Sequence, residues 1–311
     1  MAIELACARE VQKPWGVADA RPWSEIAHSD CSIGEISYGR AGPAVPAPEL
    51  LLKVLLTSQP LSIQVHPNDA FAQSIGLPHG KTEAWYVVGA RPGAAVALGL
   101  KHAVTPRQLR QATDDGSIAD LVAWHTVSAG DAIFVPAGTI HAIGPGLVIA
   151  EIQQRSDATF RLFDHGRTRE LHVDRAIAVA NAGPAALQMK PKRLDSGRSL
   201  LASNSHFVFE RFELEPDSVW LLDATRETWL FFLNGGARAG VIDVARGEAL
   251  FAQSEPVELR VGETGAVCLV AYTGRGGPVP QLLRRIGGPR TKDARHTGQD
   301  DAPGLSIGAG R

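Results

Sequence analysis

Short runs of alternating apolar and polar residues make up most of this chain, and glycine and proline separate the runs. Alternation with a period of two puts every second side chain on one face of a strand. Many short strands separated by Gly and Pro are typical of β-barrels and β-sandwiches. The pattern therefore predicts a mainly β protein, with strands that include residues 61–66, 84–88, 132–135 and 147–152.

Helical signals are few and short. Thr105 followed by Pro106 predicts a helix that runs to residue 113, because proline is favoured at the first helical position. Asn68 is a suitable N-terminal cap for a helix over residues 68–75. Two more short helices are predicted over residues 118–124 and 174–180.

A segment rich in Pro, Ala and Gly, followed by a polar segment, separates two strand-rich parts of the chain. Such a change in composition is typical of a boundary between two folded units. We therefore predict one domain over residues 1–188 and a second over residues 189–286. Residues 287–311 are polar and Gly-rich without periodicity, which predicts a disordered tail.

The second unit has its own predicted strands, over residues 206–214, 228–233, 257–261 and 266–272. Glycines at 235–236 and at 262–265 predict turns between these strands. No histidine lies between His206 and His296, so this unit lacks the residues for an imidazole-rich site. We expect it to have a structural role, burying one face of the first unit.

Composition limits the classes of partner. The 311 residues carry a formal net charge of -2, which gives no general attraction to nucleic acid or to an anionic membrane. Any anionic ligand must then be held by a few placed cations. Cys7, Cys31 and Cys268 form no CxxC pair and predict no disulfide framework. The N-terminal residues lack the pattern of a signal peptide, and no apolar run is long enough for a bilayer, so we expect a cytoplasmic protein.

Candidate metal ligands occur on two predicted strands. Gln64 and His66 are two residues apart and therefore project from the same face. Convergence of this kind is what a metal site needs, because its ligand atoms lie about 2.1 Å from one ion. Glu83 opens a strand of aromatic and β-branched residues, where a buried carboxylate needs a cationic partner. That partner can be a metal ion or the neighbouring Lys81.

The most specific pattern covers residues 130–141, which have the form G-x5-P-x-G-x2-H and end at His141. It predicts a turn, a buried strand and a second turn before the histidine. The pattern resembles the second conserved motif of the cupin superfamily, in which the histidine is a metal ligand. The first cupin motif usually has two histidines and a glutamate close together. Here Gln64 replaces the first histidine, and 16 residues separate His66 from Glu83.

These departures point to one cupin family. Lys53, Ser62 and the runs QVHP, GKTEAWY and VPAGTIHAIG resemble type I phosphomannose isomerases (mannose-6-phosphate isomerases) in their short bacterial form, and the similarity continues through EIQQRSDATFR and RELHV. The resemblance implies a metal-binding N-terminal cupin barrel, a double-stranded β-helix or jelly roll, followed by a degenerate second cupin. It also implies that mannose 6-phosphate and fructose 6-phosphate are interconverted by metal-assisted proton transfer through an enediolate.

The resemblance further implies one zinc ion per chain, bound by Gln64, His66, Glu83 and His141. Two imidazoles, one carboxylate and one amide oxygen suit a borderline divalent cation on chemical grounds as well. A bound divalent cation can polarise sugar oxygens, and no nicotinamide or flavin is needed for the reaction.

Polar residues dominate one face of residues 151–161 if this stretch is a single strand, and Glu151, Asp157 and Arg161 then share that face. Such a face marks either a solvent surface or a polar cavity, and the resemblance favours a cavity. It also implies that Arg161 contacts the reacting sugar, where its fixed positive charge suits an enediolate or a phosphate.

The resemblance leaves the general base open among Glu151, Asp157 and Lys81, and we take Glu151 as the working hypothesis. A lysine base would need a lowered pKa. The family also places Lys53 and Ser62 near the substrate, where an ammonium and a hydroxyl group can bind phosphate.

Two other interpretations stay open at this point. One is a different cupin metalloenzyme, either another sugar isomerase or an iron-dependent oxygenase. The other is a sugar-binding cupin without catalytic activity. The sequence leaves the oligomeric state open between a monomer and a homodimer.

Overall fold

The computed structural model describes residues 3–24, 32–41, 47–186, 190–274 and 277–288. Within them, antiparallel strands dominate and the helices are short, as the alternating pattern predicts. The elements up to residue 186 are, in chain order, β1 (Ile3–Leu5), β2 (Cys7–Val17), β3 (Ile33–Gly39), β4 (Leu50–Leu56), β5 (Ile63–Val65), α1 (Asp69–Ser74), β6 (Glu83–Ala90), β7 (Ala95–Leu100), α2 (Pro106–Asp114), α3 (Ile118–Leu121), β8 (Val122–Thr126), β9 (Ala132–Val135), β10 (His141–Ile143), β11 (Leu147–Gln154), β12 (Phe160–Phe163) and α4 (Val173–Val179).

The remaining elements form the second unit. They are β13 (Lys192–Arg193), β14 (Arg198–Ser203), β15 (Phe207–Leu214), β16 (Val219–Asp223), β17 (Thr228–Ala239), β18 (Ile242–Ala245), β19 (Ala249–Ala252), β20 (Pro256–Thr273) and β21 (Leu283–Gly287).

The first unit is built from two sheets that face each other. In the described residues, a six-stranded sheet has the order β2-β3-β4-β11-β6-β9 and a five-stranded sheet has the order β12-β5-β10-β7-β8. Apolar side chains from both sheets form a common buried cluster, including Trp85 and Val87 of β6, Val96 and Leu98 of β7, and Ile143 of β10. Because alternate residues of each strand point inwards, polar residues at the same parity as this cluster face the barrel interior.

The second unit packs on the outer face of the six-stranded sheet. Ile36 of β3 and Leu52 of β4 share a buried cluster with Trp229 and Phe231 of β17. The rings of Tyr38 and Phe231 are 5.4 Å apart between centroids. This apolar contact agrees with the structural role predicted for the second unit.

Three of the four predicted helices are confirmed within one residue or two, and the fourth is partly wrong. The predicted helix over 118–124 ends at Leu121, and Val122–Thr126 forms β8 instead. This strand pairs with β7, with Trp124 opposite Ala97. β-Branched and aromatic residues favour a strand once a partner strand is available, which local sequence does not reveal.

The glycine turns predicted in the second unit are wrong. Strand β17 continues through Gly235 and Gly236, and β20 continues through residues 262–265. The two strands pair at this point with shifts of register, and Gly235 lies opposite Ala266. A Cβ atom on Gly235, whose φ is +66°, would lie 1.9 Å from the carbonyl oxygen of Gly265. These glycines therefore permit a β-bulge and a close backbone approach.

Near the N-terminus, the chain crosses the predicted division into two units. Strand β1 pairs with β19, so residues 3–5 lie in the sheet of the second unit. The boundary predicted at 188–189 and the disordered tail predicted over 287–311 stay predictions, because residues 187–189 and 289–311 lie outside the described part; residue 287 itself ends β21. None of the helices in the described ranges has the length and apolar character needed to span a membrane.

Glu227 ties the two units together and yields a prediction about stability. Its buried carboxylate accepts hydrogen bonds from the backbone N–H groups of Glu49 and Leu50, at 2.6 and 2.8 Å, and from the indole of Trp229 at 3.1 Å. In Glu227→Gln an NH2 group must face at least one of these donors. We expect the free energy of unfolding to fall by about 3 kcal/mol, measured by urea denaturation. The exposed Glu263→Gln is the control, and equal small losses in both variants would contradict the expectation.

Candidate active site

Four predicted ligands converge at one end of the barrel. Strands β5 and β10 are neighbours, and their register puts His141 opposite Gln64. His66 directly follows β5. Glu83 starts β6 in the facing sheet and reaches across to both imidazoles. His66, Glu83 and His141 are each only 1% exposed.

The distances between these side chains suit a single cation. Glu83 Oε2 lies 3.4 Å from His66 Nε2, and Glu83 Oε1 lies 3.4 Å from His141 Nε2. Ligand atoms from these three residues all lie within 4.8 Å of one another. Two ligand atoms on a tetrahedral zinc ion are about 3.4 Å apart, as follows from bond lengths near 2.1 Å.

Hydrogen bonds behind the two histidines fix which ring nitrogen faces the cluster. His66 Nδ1–H donates to the carbonyl of Ala158 at 2.7 Å, and His141 Nδ1–H donates to the carbonyl of Thr139 at 2.9 Å. Both Nε2 atoms are then unprotonated in the neutral rings and direct their lone pairs at the carboxylate of Glu83. Without a cation, these lone pairs and the negative charge of the carboxylate repel each other. Hydrogen bonds from the other ring nitrogen to a carbonyl group are also what orients metal-binding histidines in proteins.

Charge and burial in the cluster also fit a divalent cation. Burial lowers the pKa of His66 to about 3 and lowers the pKa of His141, so both rings stay neutral at pH 7. Burial acts to raise the pKa of Glu83, but Lys81 and the imidazoles outweigh it and hold that pKa well below its ordinary value. Glu83 Oε2 accepts no hydrogen bond of good geometry from the described residues. One carboxylate and two neutral imidazoles are a donor set that zinc accepts.

Gln64 completes the group through its side-chain amide. Its Nε2 lies 3.3 Å from His141 Nε2, and its Oε1 accepts a hydrogen bond from the Ser62 hydroxyl at 2.9 Å. Turning the amide over would present the oxygen to the cluster, and the NH2 group could then donate to Ser62. Ser62 is therefore placed as a support for Gln64, and its predicted contact with substrate stays a prediction.

Lys81 lies directly beside the cluster. Its Nζ is 3.2 Å from Glu83 Oε2 and 3.2 Å from His66 Nε2, and the side chain is buried. Burial alone would lower the pKa of Lys81, but Glu83 and Glu151 outweigh it, and the pKa is raised. The lysine is therefore an ammonium group in this geometry, opposite to what a lysine base needs.

A cavity of about 310 Å³ opens in front of the cluster. It brings together most of the residues predicted from the sequence, although Ser62, His66 and His141 are not on its surface. The predicted residues that line it are Lys53, Gln64, Lys81, Glu83, Glu151, Asp157 and Arg161.

Glu151 lies on the inner face of β11, opposite Lys53 on β4 and Trp85 on β6. The indole N–H of Trp85 donates to its carboxylate at 2.9 Å. Burial, together with the negative charge of Glu83, raises the pKa of Glu151 to about 7. A carboxylate with a pKa near the working pH can both accept and return a proton, which suits a general base.

Arg161 reaches the cavity from a different sheet than Glu151, so the idea of one continuous strand is wrong. Strand β11 ends at Gln154, and β12 begins at Phe160 in the facing sheet. The Nε atom of Arg161 is buried and has no hydrogen-bond partner in the described residues. Burial and the nearby Arg169 lower the pKa of Arg161, and a guanidinium held in this way favours a bound anion.

Sequence reasoning missed one wall of the cavity. Arg169 lines it, stacks on the ring of Trp15 at 4.9 Å, and is held by the buried carboxylate of Asp164 through hydrogen bonds of 2.7 and 2.5 Å. The run RELHV carries Arg169, so similarity to the family was the available signal for that residue. Other lining residues not predicted include Lys13, Glu35 and Thr159.

Lys53 and Arg155 have clear positions in the structure. Lys53 is buried and lies 3.5 Å from Glu35, so it points into the barrel rather than to solvent. Arg155 donates to the backbone carbonyls of Pro48 and Leu50, at 2.6 and 3.3 Å. It therefore fastens the loop after β11 to the start of β4.

Comparison with known proteins supports the likeness seen in the motifs. No protein-family model matches the chain. Over 153 residues it is 42% identical to the mannose-6-phosphate isomerase of Streptococcus mutans, and this match covers 45% of this chain and 48% of that protein. Over 137 residues it is 40% identical to mannose-6-phosphate isomerase ManA of Bacillus subtilis, covering 42% and 43%. The chain therefore spans about half the length of the curated relatives that it matches.

Solved structures extend the likeness in fold. A crystal structure of the mannose 6-phosphate isomerase from Bacillus subtilis superposes with a TM-score of 0.74 at 20% identity, covering 88% of this chain and 100% of that one. A zinc-bound mannose 6-phosphate isomerase superposes with a TM-score of 0.68 at 16% identity, covering 88% and 100%. The predicted cupin fold is confirmed. The chain is thus similar to mannose-6-phosphate isomerases in sequence over just under half of its length, and in fold over most of it.

Proposed function

We propose that this protein is a zinc-dependent mannose-6-phosphate isomerase that interconverts mannose 6-phosphate and fructose 6-phosphate. The observation that carries the proposal is the buried group of His66, Glu83 and His141 at the end of a cavity that also holds Glu151 and Arg161. The same combination argues against a sugar-binding cupin without activity, since binding alone does not need a carboxylate of raised pKa beside a cation site.

In the proposed enzyme Gln64, His66, Glu83 and His141 hold the zinc ion. When bound, the ion would polarise sugar oxygens and lower the free energy of the enediolate. Lys81, at 3.2 Å from Glu83, adds a second positive charge on the same side of the cavity. These charges favour an anionic intermediate.

Glu151 is the proposed general base. It would take the proton from C2 of the aldose and return it to C1. A single carboxyl group would then move the proton between the two adjacent carbons without an external acid. The hydrogen bond from Trp85 fixes the carboxylate, and the pKa of about 7 keeps both protonation states accessible. Asp157 lines the cavity and is the second carboxylate available for the oxygen-bound proton.

The cations of the cavity suit a dianionic phosphate. Arg161 forms no direct ion pair with a carboxylate among the described residues, and Arg169 lies near it in the cavity wall. Asp164 and Trp15 hold Arg169 from behind. We assign the phosphate to these two guanidinium groups, which can each bind phosphate oxygens through two hydrogen bonds.

Removal of a ligand tests the metal site. In His141→Ala we expect bound zinc to fall below one tenth of the wild-type content and isomerase activity to be lost, because a three-ligand remnant binds the ion weakly. Metal analysis after gel filtration and a coupled assay for fructose 6-phosphate measure both. Chelation of the wild type should abolish activity and added Zn²⁺ should restore it. His102→Ala, at an exposed position, is the control.

A different result would point elsewhere. Activity that survives complete chelation would contradict the zinc proposal, and oxygen uptake by an iron-loaded protein would favour the oxygenase interpretation.

The base is tested by Glu151→Gln. We expect kcat to fall by at least 100-fold with zinc content unchanged, which is the usual contribution of a general base. In the wild type, kcat/KM should fall as the pH drops through about 7, because protonation removes the base. Near-normal turnover in Glu151→Gln, together with loss of turnover in Lys81→Met that still binds zinc, would assign proton transfer to Lys81 instead.

A further inference from the structure

We infer that Glu35 is a specificity-determining residue, whose carboxylate accepts a hydrogen bond from a sugar hydroxyl between the reacting carbons and the phosphate. The inference rests on the proposed function and extends it to the recognition of the sugar chain. It follows from the position of Glu35 in the cavity and from the unused hydrogen-bonding capacity of its carboxylate.

Glu35 belongs to a row of charged residues that crosses the inner face of the six-stranded sheet. Lys53 on β4 lies opposite Glu151 on β11. Glu35 on β3 is diagonal to Lys53, because it pairs with Leu55 while Lys53 pairs with Ser37. Lys13 on β2 contacts Glu35 in turn. The row therefore leads away from Glu151 and the metal ligands, one strand at a time, along the length of the cavity.

The carboxylate of Glu35 is held in place without being saturated. Its Oε1 lies 3.5 Å from Lys53 Nζ and its Oε2 lies 3.6 Å from Lys13 Nζ. Both distances exceed those of ordinary charge-assisted hydrogen bonds, which are about 2.7–2.9 Å. The described residues donate no hydrogen bond to either oxygen, and both oxygens belong to a residue that lines the cavity. An ionised carboxylate can accept several hydrogen bonds, so capacity remains for a ligand.

Sugar hydroxyl groups are the donors that match this acceptor. A hexose phosphate can bind with C1 and C2 near Glu151 and its phosphate near Arg161 and Arg169. Its remaining hydroxyl groups then lie next to this row of charged residues. The contacts with Lys13 and Lys53 fix the direction of the Glu35 carboxylate. A site built to bind a hydroxyl rejects a ligand that lacks it, because a buried polar group is then left unpaired.

The test combines Glu35→Gln with substrates that lack single hydroxyls. Wild type and variant are assayed with mannose 6-phosphate and with its analogues deoxygenated at C3, C4 or C5. If Glu35 accepts one of these hydroxyls, wild-type kcat/KM falls by about 10- to 100-fold for that analogue, the range of a hydrogen bond to a charged group. In Glu35→Gln the same analogue should lose much less, because its partner is already gone.

This comparison separates recognition from indirect effects. Freeing Lys53 in Glu35→Gln also changes the surroundings of Glu151, but that effect is shared by all substrates and cancels in the ratio. The exposed Glu258→Gln, which removes a surface ion pair with Arg260, is the matched control. Zinc content and the midpoint of thermal unfolding verify that the variant is folded. Equal penalties for every analogue in wild type and Glu35→Gln would overturn the inference.

Binding of an unreactive open-chain hexitol 6-phosphate, measured by calorimetry, distinguishes failure of this inference from failure of the proposed function. Suppose that the wild type binds this compound but does not isomerise mannose 6-phosphate, and that Glu35→Gln weakens the binding by about 10- to 100-fold. That result would refute the isomerase proposal alone. Equal binding by wild type and variant would refute the role of Glu35. Absence of binding by the wild type would refute both.

Discussion

The site is organised around the carboxylate of Glu83, which is buried between two imidazole rings that face it with unprotonated nitrogens. A hydrogen bond from Nδ1–H to a backbone carbonyl holds each ring, so neither neutral ring can turn away or donate to the carboxylate without breaking that bond. In the described part of the chain, Lys81 is the cationic side chain that contacts the Glu83 carboxylate. A second positive charge between Glu83 and the rings removes the repulsion, and the fold is arranged so that a divalent cation can supply it.

The barrel is what makes this convergence possible. Gln64 and His141 sit on adjacent strands of one sheet, while Glu83 and Glu151 belong to adjacent strands of the other. Facing sheets bring the two pairs together across the interior, and the apolar cluster beneath them holds the sheets at a fixed separation. The second unit covers the outer face of the six-stranded sheet, where Ile36 and Leu52 are buried, while Glu35 and Lys53 of the same two strands line the cavity.

How far the sequence predicts this protein depends on the range of the interactions. Gln64, His66 and His141 belong to local patterns, a strand parity and a turn motif, and their convergence follows from those patterns and the family resemblance. The break in the strand between Glu151 and Arg161 does not follow from the local patterns. Two strands in different sheets and one continuous strand show the same local alternation of polar and apolar residues. Gly235 and Gly265 show the same limit, because a glycine required by a crossing strand looks like a glycine required by a turn.

The overlooked wall of the cavity has a similar cause. Glu35 belongs to no motif, and an isolated charged residue on a strand is usually a solvated one. What gives Glu35 a role is its position two strands from Glu151, with Lys53 between them, and this is set by register alone. In a barrel whose interior is polar, each inward charge needs a neighbour of opposite sign, so Lys53 requires both Glu35 and Glu151. The same electrostatic requirement that stabilises the row therefore places acceptors and donors side by side along the cavity lining, an arrangement that the linear polyhydroxylated substrate of the proposed reaction would need.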